Sequence, residues 1–243
     1  MSSGLPRQLP LEITLDDHAT FDNFFVASLN DQLFDYLTAD SGSKMQQYSC
    51  IWGSEGAGCT HLLQAICHQS DARATPAFYF PLQNLHEYNP DVFEGLETFS
   101  LVCLDDVQNV AGNAEWELAL FSLFNRLREN GSQLVVAANV NPRQMPVRLP
   151  DLLSRLQSGI VFQLHVLDDS DKLLALQLRA RQRGFDLPEE VAAYVLQRND
   201  RRMSCLFDLL DRLDQHSLET QRRITIPLVR ELMGWRVSGS EIS

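Results

Sequence analysis

Short apolar runs alternate with longer stretches of helical spacing along the first two thirds of the chain. Five runs are rich in aliphatic and aromatic side chains, as expected of buried strands. They are Tyr48–Trp52, Ala77–Pro81, Leu101–Asp105, Leu134–Ala138 and Ile160–Leu164. Between the third and fourth runs, large apolar residues recur every three or four positions, at Trp116, Leu120, Phe124 and Leu127. This alternation predicts an α/β fold with a five-stranded parallel sheet covered by helices.

The pattern changes after Val166, where strand signals end and only helical spacing continues. Asp168–Arg183 has an acidic start, a basic end and a stop at Gly184, which is typical of a helix. Further helices are predicted over 30–39, 188–198 and 203–213, with a short last one after Ile226. We therefore predict a flexible tail over 1–18, an α/β domain over 19–166, a small all-helical lid domain over 167–235 and a polar tail over 236–243.

Composition and charge narrow the classes of partner. The chain has 243 residues, 44% of them hydrophobic, yet no apolar run approaches the roughly 20 residues that cross a membrane. The formal net charge of −12 argues against a stand-alone nucleic-acid binder, which must neutralise phosphates, and favours a protein partner. The first residues lack a secretion signal, and the five cysteines form no C-x-x-C pair, so we expect a cytoplasmic protein with reduced thiols. Self-association stays open.

A glycine-rich loop after the first apolar run carries the clearest chemical signal. It reads G-x-x-x-x-G-C-T where a phosphate-binding loop has G-x-x-x-x-G-K-[ST], so Cys59 stands in the lysine position. Glycines let backbone N–H groups point at phosphate oxygens, at the positive end of the helix that follows. The expected contacts are Gly53, Ser54, Glu55, Gly56, Ala57, Gly58, Cys59 and Thr60. Without the lysine charge, we expect nucleotide binding with poor hydrolysis.

Two acids close the third apolar run, about 50 residues later. Asp105 and Asp106 follow Ser100–Leu104, and a carboxylate at such a strand end holds Mg²⁺ and positions water in nucleotide enzymes. Together with the Thr60 hydroxyl they form the predicted magnesium site. A polar turn is the alternative interpretation, and we favour the functional one. Asn139 ends the fourth run, where a ligand contact and a turn before Asn141 are equally good interpretations.

Two other cysteine interpretations are weaker. Cys59 at a helix N-terminus is conceivable as a reactive thiol of lowered pKa, but a tolerated loss of lysine is the favoured interpretation. A zinc site at His61, Cys67 and His68 would need a second ligand pair that the sequence does not supply. Ordinary packing roles are favoured there.

These motifs together resemble the AAA+ ATPases, and more closely the central domain of the bacterial replication initiator DnaA. The segment 58–63 resembles that family's G-K-T-H-L, and 105–108 resembles its D-D-I-Q. Thr20–Phe24 matches T-F-D-N-F, and Phe121–Asn125 with Leu127 resembles F-x-x-F-N-x-L. The similarity runs from about residue 19 to residue 233. It implies a further nucleotide contact at His61.

The resemblance also shows where the lid departs from the family. The lid arginine that senses phosphate in that family falls on Ser204, so Arg201 and Arg202 are the candidate substitutes, with Arg202 taken as the nucleotide contact. With two cationic contacts replaced, we expect the bound cofactor to be ADP or another nucleoside diphosphate, with Mg²⁺ as a possible companion. Losing a charged hydrogen bond lowers affinity roughly 10- to 150-fold.

The initiator continues into a basic DNA-reading domain, and we expect this chain to have none. It would then be similar to the short DnaA homologues that switch the initiator off. Such homologues promote hydrolysis of DnaA-bound ATP together with the DNA-loaded sliding clamp of DNA polymerase III. Arg155 aligns with the family's arginine finger, which would act in trans, with a capping or surface contact as the alternative. Gln8, Leu9 and Leu11 resemble the Q-L-x-L core of clamp-binding peptides, with a tail of incidental leucines as the alternative.

The sequence therefore predicts a negative regulator of replication initiation with weak or no ATPase activity of its own. Its implied partners are DnaA and the sliding clamp, with DNA contacted only indirectly and no membrane. A self-acting AAA+ ATPase such as a helicase or clamp loader is the first alternative, and the missing lysine counts against it. A nucleotide-independent scaffold is the second.

Overall fold

The computed structural model describes residues 15–39 and 46–234. They form two compact units. The first contains residues 15–24, 32–39, 46–53 and 58–164, and the second contains residues 25–31, 54–57 and 165–234. No helix within the described ranges is long and apolar enough to cross a membrane.

The first unit is built on a five-stranded sheet in the order β2-β3-β4-β1-β5, with every neighbouring pair parallel. The strands are β1 Tyr48–Trp52, β2 Ala77–Pro81, β3 Leu101–Asp105, β4 Gln133–Ala138 and β5 Ile160–Gln163. All five residues of β3 are buried, as expected of a parallel strand covered on both faces. The predicted five-stranded parallel sheet is confirmed.

Four helices accompany these strands along the chain. They are α1 Asp31–Thr38, α2 Cys59–Ala72, α3 Ala114–Asn130 and α4 Pro150–Leu156. The side chain of Asn113 caps α3 by accepting from the backbone N–H groups of Glu115 and Trp116, and Gly131 ends the helix in the left-handed region. Proline at the first position of α4 suits a helix start, since its missing N–H has no partner there anyway.

The largest group of buried apolar residues in the first unit includes those between α3 and the sheet. Phe80, Leu104, Leu120 and Leu123 are completely buried in it. The predicted helical face of α3 is this buried face. The apolar runs of the strands and the helically spaced residues of α3 therefore pack together in one core.

The second unit is helical throughout its described C-terminal part. Its helices are α5 Asp169–Gln182, α6 Glu189–Arg198, α7 Met203–Thr220 and α8 Ile226–Met233. The Asp168 side chain caps α5 by accepting from the Asp171 N–H at 2.8 Å. Buried leucines and valines join the four helices into one core. The predicted all-helical lid is confirmed.

Element ends differ from the predictions by small amounts that have local causes. β5 ends at Gln163, although the Leu164 N–H still donates to the Trp52 carbonyl at 2.7 Å. α7 continues to Thr220, beyond its last buried leucine at 213. Hydrogen bonding along a helix continues without burial, so a pattern of buried positions underestimates its length.

Candidate functional site

The glycine-rich loop joins β1 to α2 and has the backbone that its sequence demands. Gly56 and Gly58 have φ values of +80° and +105°, in the left-handed region that favours glycine. A side chain at Gly58 would also place its Cβ 2.9 Å from the Phe24 ring. α2 begins at Cys59, directly after Gly58. The N–H groups of its first turn therefore lack helix partners and are suited to bind an anion.

Cys59, in the lysine position, carries no charge at neutral pH. Burial, followed by the negative charge of Asp105, raises the pKa of the Cys59 thiol to about 12. The interpretation of Cys59 as a thiol of lowered pKa is therefore wrong, because burial and two nearby carboxylates outweigh the helix N-terminus. The loop keeps its backbone donors but has no cation at this position.

Asp105 ends β3 and is the most constrained acid of the site, with 4% of its surface exposed. Its Oδ2 accepts from the Tyr79 hydroxyl at 3.0 Å, and its Oδ1 accepts from the Asp106 N–H at 3.0 Å. Burial has the largest influence and raises the pKa of Asp105, while hydrogen bonds from Thr60 and Tyr79 favour the carboxylate. The structure thus brings Thr60 and Asp105 together, an oxygen pair that suits Mg²⁺.

Asp106 and Asn139 are linked through Gln108, whose role the local sequence pattern does not indicate. Gln108 donates from Nε2 to Asp106 Oδ1 at 2.9 Å and accepts the Asn139 N–H on Oε1 at 3.1 Å. Asp106 itself has a φ of +56°, in the left-handed region. One glutamine therefore ties the ends of β3 and β4 together at the carboxyl edge of the sheet, where α/β proteins bind their ligands.

His61 holds the segment that precedes α1. Its Nε2 lies 2.8 Å from the Thr20 carbonyl oxygen, and its ring packs against Phe24 at 5.3 Å between centroids. His61 thereby connects α2 to the Thr20–Phe24 motif. Its expected nucleotide contact stays a prediction.

Within the second unit, Arg202 lies near one residue of the glycine-rich loop. Its Nη1 is 3.9 Å from Glu55 Oε1, and its Nη2 pairs with Asp200 Oδ2 at 2.8 Å. Arg201 instead pairs with Asp169, and Ser204 is exposed near the start of α7. Of the two candidate substitutes for the lid arginine, Arg202 is the one placed beside a loop residue.

Arg155 lies at the other edge of the sheet. It is in the last turn of α4 and lines a cavity of about 290 Å³ together with Tyr48 and Leu134, which lie at the starts of β1 and β4. Asp105 and Asn139 lie where strands end. A parallel strand of five residues spans roughly 16 Å, so the structure separates Arg155 from the acids at the strand ends.

Gln8, Leu9 and Leu11 lie outside the described residues. Among the residues with described positions, no group of three or more His, Cys, Asp or Glu is placed to hold a metal ion. The zinc interpretation of His61, Cys67 and His68 finds no such cluster.

Two family models match this chain in consecutive segments. The model for the bacterial DnaA ATPase domain matches residues 82–163, and the model for the Hda lid domain matches residues 169–233. This chain therefore combines a DnaA-like ATPase domain with an Hda-like lid. The first match covers β3 to β5 of the sheet, and the second covers the four helices α5 to α8.

Solved structures of other proteins share this fold. Domain III of DnaA from Thermotoga maritima superposes with a TM-score of 0.74 at 23% identity, covering 91% of this chain and 98% of that one. AMPPCP-bound DnaA from Aquifex aeolicus gives 0.69 at 23% identity, covering 84% and 68%. The RuvB Holliday junction branch migration motor of Thermotoga maritima gives 0.66 at 16% identity, covering 88% and 73%. At these identities the likeness shows the AAA+ fold alone.

Proposed function

We propose that this Hda-like chain inhibits replication initiation by stimulating hydrolysis of ATP bound to DnaA, with Arg155 as an arginine finger supplied in trans. One observation carries the proposal. Arg155 lies at the strand-start edge, away from Asp105 and Asn139, and the described residues give its guanidinium no ion pair. A cation placed away from the acids of its own chain's candidate nucleotide site suits a phosphate held by another molecule.

The chemistry asked of Arg155 is charge stabilisation. In ATP hydrolysis the water oxygen bonds to the γ-phosphorus, the bond to the β,γ-bridging oxygen breaks, and ADP leaves with the electron pair. A proton of the attacking water passes to solvent. Negative charge on the transferring group and the leaving oxygen is what a guanidinium stabilises, and a finger supplied in trans accelerates such reactions by about 10³–10⁵.

The chain's own nucleotide site supports this division of labour. Two DnaA structures similar to this chain hold AMPPCP, so we propose that this chain also binds a nucleotide. The proposed contacts are Gly53–Thr60, His61 and Asn139, with Arg202 in the second unit and Mg²⁺ on Thr60, Asp105 and Asp106. Because Cys59 supplies no charge, the proposed occupant is a nucleoside diphosphate that serves as a structural clip.

The proposed route to DNA is indirect. Gln8, Leu9 and Leu11 bind the sliding clamp, and the clamp encircles DNA. The net charge of −12 supports this arrangement, since a chain of that charge gains little from phosphates directly.

Release of phosphate from ATP-bound DnaA, with clamp loaded on DNA, tests the proposal. We expect the unaltered chain to accelerate release and Arg155→Ala to lose about 10³-fold of the acceleration or more. Arg143→Ala is the matched control, because Arg143 is an exposed arginine of the same unit in the loop after β4. If Arg155→Ala stimulates as well as Arg143→Ala, the finger assignment is wrong.

A further inference from the structure

The cavity beside Arg155 has a second arginine in its wall. Arg128, in the last turn of α3, lines the same space of about 290 Å³. Among the residues that line it, two are arginines and none is an aspartate or glutamate. In a chain of net charge −12, an acid-free lining that includes two arginines is a local exception that favours an anion.

The two arginines differ from their neighbour Arg126, which has structural partners. Arg126 donates from Nε to Glu97 at 3.0 Å and from Nη2 to the Phe93 carbonyl at 2.7 Å. Within the described ranges, neither Arg128 nor Arg155 forms an ion pair of this kind. Their planar forks remain available for the bidentate contacts that guanidinium groups make with phosphoryl oxygens.

The backbone under both arginines is firmly held. Gln47 donates from Nε2 to the Arg128 carbonyl at 2.8 Å, and the Tyr48 hydroxyl donates to the Leu156 carbonyl at 3.1 Å. Gly159 packs closely against Tyr48. A Cβ added to Gly159 would be 2.3 Å from the Tyr48 ring and 2.4 Å from the Tyr48 carbonyl oxygen. Such support fixes the backbone positions from which the two arginines line the cavity.

We propose that this cavity is a phosphoryl-binding site in which Arg128 acts as a second cation beside Arg155. The inference rests on the proposed function, because the phosphoryl group it assigns is the γ-phosphate of the ATP held by DnaA. The volume lies at the small end of ligand pockets, which suits a phosphoryl group better than a whole nucleotide. Arg128 would share with Arg155 the charge that develops during hydrolysis.

The first test measures the maximal rate of DnaA-bound ATP hydrolysis at saturating chain. We expect Arg128→Ala to lower the stimulated rate roughly 10- to 150-fold, the effect of losing a charged hydrogen bond. Arg128→Lys should lower the stimulated rate less than Arg128→Ala does, because lysine keeps the positive charge although it lacks the paired donors of arginine. Arg143→Ala is the control, and equal melting temperatures of all variants show that folding is unchanged.

The outcomes separate this inference from the proposed function. If Arg155→Ala abolishes stimulation while Arg128→Ala behaves as Arg143→Ala, the second cation is wrong and the proposed function stands. If Arg155→Ala has no effect, the proposed function fails and this inference fails with it. Loss with both variants supports the two-arginine site.

A second measurement detects the site in the isolated chain. Inorganic pyrophosphate is titrated against the ¹⁵N-labelled protein, with sodium chloride of equal ionic strength as reference, and the Gly159 amide signal is followed. We expect a saturable shift that Arg128→Ala removes. No shift at Gly159 overturns the site. A shift combined with undiminished stimulation by Arg128→Ala overturns the assignment to the partner's nucleotide, because the cavity then serves a free anion.

Discussion

At the scale of single residues, Cys59 explains why a well-formed loop need not make an active ATPase. Gly56 and Gly58 adopt the left-handed backbone that a phosphate-binding loop requires. The thiol between Gly58 and Thr60 is half-buried and neutral, with its pKa raised to about 12. Geometry for binding is therefore preserved while the charge that neutralises terminal phosphates is not.

The raised pKa predicts a slow reaction of Cys59 with alkylating agents. At pH 8 a thiol of pKa about 12 is ionised in roughly one molecule in 10⁴, and only the thiolate reacts. We expect native Cys59 to resist iodoacetamide at pH 8 and to react fully in urea, as measured by peptide mass spectrometry. Cys205, which is half-buried like Cys59, is the internal comparison. Rapid labelling of native Cys59 would contradict its raised pKa.

The site residues visible in the sequence were those whose role is local. The glycines and Cys59 belong to one continuous motif, so their spacing carries the information. Tyr79 and Gln108 hydrogen bond to partners 26 and 31 residues away, at Asp105 and Asn139. Such partners meet only when separate strands align, and a local pattern contains no trace of that.

At the scale of elements, a buried carboxylate determines where α4 begins. Glu117 of α3 is 1% exposed and accepts from the backbone N–H groups of Leu149 at 2.7 Å, Arg148 at 3.0 Å and Gly112 at 2.7 Å. Arg148 and Leu149 directly precede α4, the helix that carries Arg155. One side chain thus fixes the start of that helix by satisfying backbone donors that have no helix partner.

This arrangement predicts a pH-dependent contribution to stability. Burial alone would raise the pKa of Glu117, but the backbone donors, Arg148 first, outweigh it and hold the pKa below 4.5. A carboxylate whose pKa is lower in the folded state stabilises the protein at pH values above its unfolded-state pKa. This stabilisation is lost as the pH falls through the folded-state pKa. We expect Glu117→Gln to reduce the free energy of unfolding by about 1.5–3 kcal/mol at pH 7 and by less at pH 3.

Urea unfolding of both proteins between pH 7 and pH 3 measures this difference. Glu115→Gln is the matched control, since Glu115 is an exposed acid of the same helix, two residues earlier. It should change the free energy of unfolding by less than about 0.5 kcal/mol. A pH-independent loss with Glu117→Gln would show that packing, and not the carboxylate charge, holds the start of α4.

At the scale of the whole molecule, the sheet could be predicted but its strand order could not. β3 and β4 are buried on both faces, so they stand out as continuous apolar runs. The order instead depends on which strands pair, and β1 pairs with β4 and β5, more than 80 residues away. No run of apolar residues encodes that choice. The lid was predictable because its helices have well-marked ends, such as Asp168 and Gly184.

The net charge of the whole chain leads to a prediction about the proposed clamp segment. A chain of charge −12 gains no general attraction to DNA, so its action at DNA should depend on a protein already there. We expect the double variant Gln8→Ala, Leu9→Ala to stimulate DnaA no faster with DNA-loaded clamp than without it. Its clamp-independent rate should match the unaltered chain, because Arg155 is intact. The double variant Ser2→Ala, Ser3→Ala, which changes the same tail outside the Q-L-x-L segment, should keep the full clamp effect. If the Gln8 and Leu9 variant keeps it too, another surface meets the clamp.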